Sequence, residues 1–562
     1  MSAVTEPAAA LILGPLLRYV GRTEATLWVE TDRACDVEVL GRAACTFEVR
    51  GHHYALVSIN GLPQGDVIEY EVRLDGEQAW PAAGEERPAS TIHTRAGEDH
   101  ARLVFGSCRV GAPQREPYTL PSGEHEHGYG VDALWAYSRR LQAGVEPWPD
   151  ALLLCGDQVY ADEVSPETAE FIRGRRDTSE PPGEEVADFE EYTRLYREAW
   201  SDPDIRWLLS TVPSLMIFDD HDVIDDWNIS WQWLKDARAK PWWHARITGA
   251  FMAYWVYQHL GNLSPPELDE EAMYRTVMAA DGDAGPELEA FAELADRESA
   301  ASRWACCRDF GRSRVLVVDS RAARVLDDEH RDMVDEEEWA WIVERSHEAL
   351  DHLVIVSTLP VFMSPGVHYL EAWNEAVCAG EWGRPAAWIG ERIRRALDLE
   401  HWPAFQASFA QMVDLLRDVA SGARGTPPPA SITLVGGDIH NAYIAEVSLG
   451  RRDSSRSRVH QLVCSPFRNP LAPAQRRLVG LTNTAVAAGA LRRLARLAGV
   501  RPPTVRWRYR AGPTFHNSIG IVELDGRRAE ASIYRSDEGE PSAALRSLHA
   551  RVLADGPRAG AG

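Results

Sequence analysis

ALLLCGDQVYAD (Ala151–Asp162) decides how the chain is read. The run Ala151–Leu154 is wholly apolar, Gly156 follows it, and Asp157 and Tyr160 stand just beyond. A short apolar run closed by a glycine reads as a buried strand. A carboxylate and a phenol at its carboxyl end lie where α/β sheets bind their ligands. The same pattern recurs in RLVFGSC (Arg102–Cys108), SLMIFDDHD (Ser214–Asp222), RVLVVDSR (Arg314–Arg321), HLVIVSTLP (His352–Pro360) and SITLVGGDIH (Ser431–His440). Stretches with apolar residues at helical spacing separate these runs, as in EEEWAWIVERSHEAL (Glu336–Leu350). Alternating strands and helices predict an α/β domain built on a layered sheet.

The residues before Arg102 read differently. EATLWVET (Glu24–Thr31), DVEVL (Asp36–Leu40), CTFEVR (Cys45–Arg50), HYALVSI (His53–Ile59) and VIEYEVRLDG (Val67–Gly76) are short, largely alternating and punctuated by Gly, Pro and Asn. They predict an all-β sandwich of immunoglobulin or fibronectin type over residues 1–98. The catalytic domain is placed at 99–545 and a tail at 546–562. Arg173–Asp188 and Ala279–Glu298 are acidic and rich in Gly and Pro, and read as surface insertions. NSIGIVELDGRRAEASIYR (Asn517–Arg535) reads as a hairpin turned at Asp525-Gly526. The last residues, ADGPRAGAG, read as a disordered tail.

The 562 residues allow a large core and more than one domain, and 45% hydrophobic with 26% charged is ordinary globular composition. The twenty tryptophans are read as core and loop packing. A formal charge of −26 argues against nucleic acid or an anionic membrane as the main partner. It also disfavours anionic substrates at long range, so a phosphate site here needs local positive charge, which a metal cluster supplies. No stretch reaches the length of a membrane span. The start carries no basic region before its apolar patch and no twin arginine. Eight cysteines in so long a chain are not a disulfide framework. The expectation is a reduced, cytoplasmic protein.

Polar residues gather at strand ends. Cys108 and Arg109 follow one strand, Asp157 and Tyr160 a second, Asp219, Asp220, His221 and Asp222 a third, and Asp438 and His440 a fourth. Taken singly, each has an ordinary structural reading: an inert buried cysteine, a turn aspartate, a solvated acidic pair. Four such clusters on one sheet edge converge. Carboxylate, phenolate, thiolate and imidazole are all metal ligands. Tyrosinate and carboxylate are hard oxygen donors suited to Fe³⁺, and further aspartates make an oxygen-rich site for a hard divalent ion. Crowded carboxylates repel unless cations neutralise them.

The set FGSC, GDQVYAD, FDDHDV and GGDIH, in this order and strand context, resembles the PhoD-like alkaline phosphatase family, a branch of the calcineurin-like metallophosphoesterases. GPLLRYVGRTEATLWVET (Gly14–Thr31) is similar to the β-sandwich that precedes the catalytic domain there. The resemblance implies that Asp157 bridges two metals. It implies that Cys108, Tyr160 and His440 bind an iron as Fe³⁺, and that Asp220 and Asp438 bind a second ion, Ca²⁺, with Mn²⁺ or Zn²⁺ as alternatives. His221 matches the histidine that assists the phosphate or the leaving group. One departure is DDHDVIDDWN (Asp219–Asn228): Asp222, Asp225 and Asp226 bring extra negative charge where relatives often carry asparagine.

The implied reaction is hydrolysis of a small phosphomonoester by metal-activated water. Arg109 and Arg321 are candidate phosphate clamps, since a guanidinium grips two oxygens at once; the competing reading is a structural ion pair. Phosphodiester or nucleotide hydrolysis is the alternative within the same scaffold. A catalytically silent metal- or ligand-binding protein is the alternative outside it. The sequence leaves the oligomeric state open.

Overall fold

The structure is a computed structural model, and it describes residues 8–97, 99–327, 330–450, 456–537 and 543–557. The N-terminal part is all-β, as expected. Two four-stranded antiparallel sheets form it, Leu11–Val20, Glu24–Thr31, His52–Asn60 and Phe47–Val49 in one, and Arg42–Cys45, Asp36–Val39, Val72–Leu74 and Glu77–Trp80 in the other. Alternation along Glu24–Thr31 sends Leu27 and Val29 into the sandwich core with Val37 and Val57. Trp28 points the other way and joins the main core with Leu13, Leu16 and Tyr54. Both faces of this sheet are therefore buried, one of them against the larger domain.

Two mixed sheets carry that domain. One runs Ser214–Ile217, Ala151–Cys155, His100–Gly106, Ser518–Asp525, Arg528–Ser536, Leu545–Ala554. The other runs Cys306–Phe310, Ser313–Val318, His352–Ser357, Ser431–Gly436, Arg458–Val463, Ala442–Ser448, Arg506–Thr514. Its four central strands are parallel, as are the first three of the other sheet. Every strand expected from an apolar run is present. The single sheet edge expected from them is instead two edges, one from each sheet, meeting at the same place.

Other expectations change. Leu545–Ala554 is not tail: it pairs antiparallel with Arg528–Ser536 and closes the sheet. The described part of ADGPRAGAG begins with Ala554 in that strand, and residues 558–562 lie outside the described residues. Most of the expected insertion at Ala279–Glu298 is a helix, Gly285–Arg297, because Leu288, Ala292 and Ala295 recur on one buried face. The hairpin turns at Gly526-Arg527, one residue later than expected, since Asp525 pairs with Arg528. All eight cysteines are free thiols. No helix among the described residues is long and apolar enough to cross a membrane.

Candidate metal centre

Two loops from one sheet and two from the other are stitched together at the strand ends. Asp438 N–H donates to Ser107 Oγ at 3.0 Å, Phe467 N–H to the Ser107 carbonyl at 2.7 Å, and Arg468 N–H to the Cys108 carbonyl at 3.1 Å. Gly437 makes this approach possible: a Cβ there would stand 2.5 Å from Ser107 Cβ and 2.9 Å from the Cys155 carbonyl oxygen. The ligand-bearing backbone is unusual. Cys108, Asp157, Asp438 and His440 have φ of 56°, 49°, 63° and 47°. That left-handed region is uncommon for residues with a Cβ, and such strain concentrates at functional sites.

Ligand atoms of Cys108, Asp157 and His440 lie within 4.8 Å of one another, and so do those of Asp157, Asp219 and Asp220. Asp157 belongs to both groups. It is completely buried, and neither carboxylate oxygen has a hydrogen-bond partner among the described residues. Asp219 Oδ2 is likewise buried and unpartnered. Charged oxygens in that condition are costly unless a cation meets them. The donor set and its orphaned oxygens thus fit two cations sharing Asp157. Without a cation, burial and the neighbouring Asp220, Asp219 and Asp222 push the Asp157 carboxyl well above its ordinary range. Burial, with Asp157, does the same to the Cys108 thiol.

The surrounding residues orient the donors. His440 Nδ1–H donates to the Asn469 carbonyl at 2.6 Å, which leaves Nε2 as the ligand atom. Burial lowers its pKa to about 4, so the ring is neutral, as ligation requires. Tyr160 Oη accepts from Asn469 Nδ2 at 3.1 Å, and its ring lies 4.8 Å from that of His221. His221 Nδ1 is held by Asp162, 3.0 Å from Oδ1. Burial opposes protonation of His221, but Asp162, Asp220 and Asp157 together raise its pKa well above the ordinary value.

Several sequence expectations are revised here. Asp222 belongs to none of the ligand groups. Its carboxylate accepts from the backbone N–H of Asp157 at 3.1 Å, Asp219 at 2.8 Å and Val159 at 3.3 Å, tying the two acidic loops together. Asp225 groups with Asp220 and His221, while Asp226 faces Glu400 and Asp398, and burial with these carboxylates raises its pKa to about 9. Asp438, expected as a ligand of the second ion, belongs to none of the ligand groups; its carboxylate lies 3.2 Å from His401 Nε2 and 3.8 Å from Arg321 Nη2. Arg321 is fully buried and engaged by Asp219 and Glu400, with Asp220 at 3.2 Å. Arg109 donates to Asp132 at 2.7 Å and to the Ala199 carbonyl at 2.6 Å. Both arginines therefore take the structural ion-pair reading. Sequence reasoning gave no role to Asp162, Asn469, Glu400 or His401; each acts across a long separation that no local pattern encodes. Beside Tyr160 opens a cavity of about 230 Å³, lined among others by Tyr118, Tyr129, Glu163 and Leu195.

Residues 126–496 match the family of PhoD-like phosphatases. The chain belongs to that family. Residues 8–92 match a domain of unknown function, DUF7800. A solved structure of PhoD aligns over 99% of this chain and 95% of its own, with a TM-score of 0.60 at 12% identity, a likeness of fold. An alignment to a maltogenic amylase structure from S. marinus has a TM-score of 0.20 at 11% identity, over 99% of this chain and 84% of that one, and carries no argument. No curated protein matches the chain. Membership in the family accords with the strand-end motifs and with metal-binding groups of acidic residues, cysteine and histidine at one site.

Proposed function

We propose that the protein is a metal-dependent hydrolase of small phosphoesters, with phosphomonoesters as its first substrates and phosphodiesters accepted in the same site. The supporting observation is Asp157, a fully buried carboxylate with both oxygens unpartnered, shared by two ligand groups in a PhoD-like phosphatase. Cys108, Tyr160, His440 and Asp157 would hold Fe³⁺, and Asp157, Asp219 and Asp220 would hold Ca²⁺, with Mn²⁺ or Zn²⁺ as alternative occupants. Bound there, the ions supply charge neutralisation of the phosphoryl group and activation of water near neutral pH.

The protein's own residues supply the rest. Asp162 fixes the His221 ring through Nδ1, so Nε2–H donates to a phosphoryl or leaving-group oxygen. Asp222 locks the backbone of the Asp157 and Asp219 loops, so the carboxylates are positioned before substrate arrives. The cavity beside Tyr160 gives the leaving group room. The charge of −26 supports a small soluble substrate over nucleic acid or a membrane surface. The test is hydrolysis of an aryl monoester and a bis-aryl diester by purified protein. A strong chelator should abolish both activities, and Ca²⁺ with iron should restore them better than Zn²⁺. Activity that survives exhaustive chelation refutes the metal-dependent reading.

A further inference from the structure

A six-residue π-helix, Tyr254–His259, interrupts the helical segment between Trp243 and Asn262. π turns are rare, and they recur at functional sites. This one is gripped from outside. Arg18, on the strand Leu11–Val20 of the N-terminal sandwich, is 0% exposed, and no carboxylate among the described residues pairs with it. Its Nη1 donates to the Tyr257 carbonyl at 2.6 Å and its Nη2 to the Gln258 carbonyl at 2.7 Å. Gly261 makes room, since a Cβ there would stand 2.6 Å from Arg18 Nη1. A second arm comes from the same sandwich: Tyr257 Oη donates to Glu30 Oε2 at 3.0 Å and lies 3.1 Å from Tyr54 Oη.

The gripped segment touches the acidic loops twice. Gln258 Nε2 donates to Tyr196 Oη at 2.8 Å and reaches Asp222 Oδ1 at 3.5 Å. Asp222 in turn holds the backbone N–H groups of Asp157 and Asp219. Asn262, which also accepts from Arg18 Nη2 at 3.3 Å, pairs with both backbone groups of Met216 at 2.9 and 2.6 Å, on the strand Ser214–Ile217 that leads to Asp219. Removing the guanidinium would take two hydrogen bonds from buried carbonyls of the π-helix. The helix would then relax toward α register, and a one-residue change of register turns a side chain by roughly 100° about the axis. Gln258 would leave Asp222.

We propose that residues 8–92 serve as a positioning element for the metal centre: Arg18 holds the π-helix and Asn262, Gln258 of the π-helix reaches Asp222, Asn262 holds Met216, and these set the loops that carry Asp157 and Asp219. The sandwich contributes no ligand, yet it sets the affinity of the site for its ions. This rests on reading the site as a metal centre.

The test uses the full chain with Arg18→Met, Arg18→Lys and Gln258→Leu, and with Arg87→Gln as a control that removes a contact from residues 8–92 to Asp204, outside this chain of bonds. Metal affinity is read by competition with a chromogenic chelator, and kcat and KM are measured separately. Arg18→Met and Gln258→Leu should bind metal about 10- to 100-fold more weakly, the range for residues that orient ligands, with kcat falling more than KM rises. Arg18→Lys should recover part of the affinity. Arg87→Gln should lower stability and leave affinity unchanged. If Arg18→Met does not fold, Gln258→Leu decides. Wild-type affinity in Gln258→Leu, or an equal loss in Arg87→Gln, overturns the proposal. A wild-type protein that binds no metal overturns this inference and the metal centre together.

Discussion

Replacing Asp157 by asparagine should make the metal-free protein more stable while destroying its activity. The side chain is wholly buried, both oxygens lack partners, and Asp219, Asp220 and Asp222 crowd it. An uncompensated buried ion costs several kcal/mol even after relaxation. A buried amide with poor partners costs about 1–3 kcal/mol. The difference favours the variant by about 2 kcal/mol when no cation is present. In a chain of this size that is a rise in Tm of about 2 °C. With metal the order should reverse. Ligand at a hundred times its Kd stabilises the wild type by about 2.7 kcal/mol, and a variant that has lost the shared ligand gains little. Its kcat should fall by at least about 10²–10³, the scale for losing one key electrostatic group. The assay is a thermal melt of chelated and metal-loaded protein, beside hydrolysis of an aryl phosphate. An Asp157→Asn protein that melts below the chelated wild type, or that shows the same metal-induced shift, refutes the argument.

Three further outcomes are expected. Iron-loaded protein should show a visible charge-transfer band that weakens strongly in Tyr160→Phe and shifts in Cys108→Ser; colourless, fully active, iron-free protein would mean that divalent ions suffice. His52 links the sandwich to the helix Phe189–Trp200 through Glu30 and Glu190; burial opposes its charge, but these carboxylates hold its pKa at about 9. Because the folded pKa is raised above 6.5, its contribution is complete below pH 6.5 and is lost as pH rises through 9. With the ring 23% exposed, about 2 kcal/mol should disappear over that window, and denaturant midpoints at pH 6 and pH 9.5 should show a loss that His52→Gln lacks. Gly437→Ala should cost about 1–3 kcal/mol by overpacking against Ser107 and Cys155 and lower kcat, with both effects read on the same preparation; a neutral substitution would mean the loops yield.

The central strands were legible because they are buried on both faces and so appear as unbroken apolar runs; their division into two sheets was not. Leu545–Ala554 was not, because this edge strand is largely half-exposed or exposed until Leu553 and offers no alternation to read. In the site, Cys108, Asp157, Asp220, His221 and His440 announced themselves by residue type at strand ends. What they do with their neighbours was hidden. Asp222 has the same residue type as Asp220, two positions away, yet it points into the backbone amides of its own and a neighbouring loop. Arg321 reads in the sequence equally as a phosphate clamp or an ion pair, and only Asp219 and Glu400, far off in the chain, decide for the pair. Pairings over such separations belong to the folded surface, not to any window of sequence.

The left-handed backbone at Cys108, Asp157, Asp438 and His440 also limits how this centre can vary. Asparagine, aspartate and histidine enter that conformation several-fold more readily than other residues with a Cβ, and β-branched residues almost never do. Sequence drift at these positions is thus filtered twice, once for a donor atom and once for the main chain, and glutamate passes the first filter more easily than the second. At Asp157 the main chain would accept asparagine or histidine, so the loss expected of Asp157→Asn is one of charge and not of conformation, while a longer carboxylate arm would carry a conformational penalty before it reached any metal.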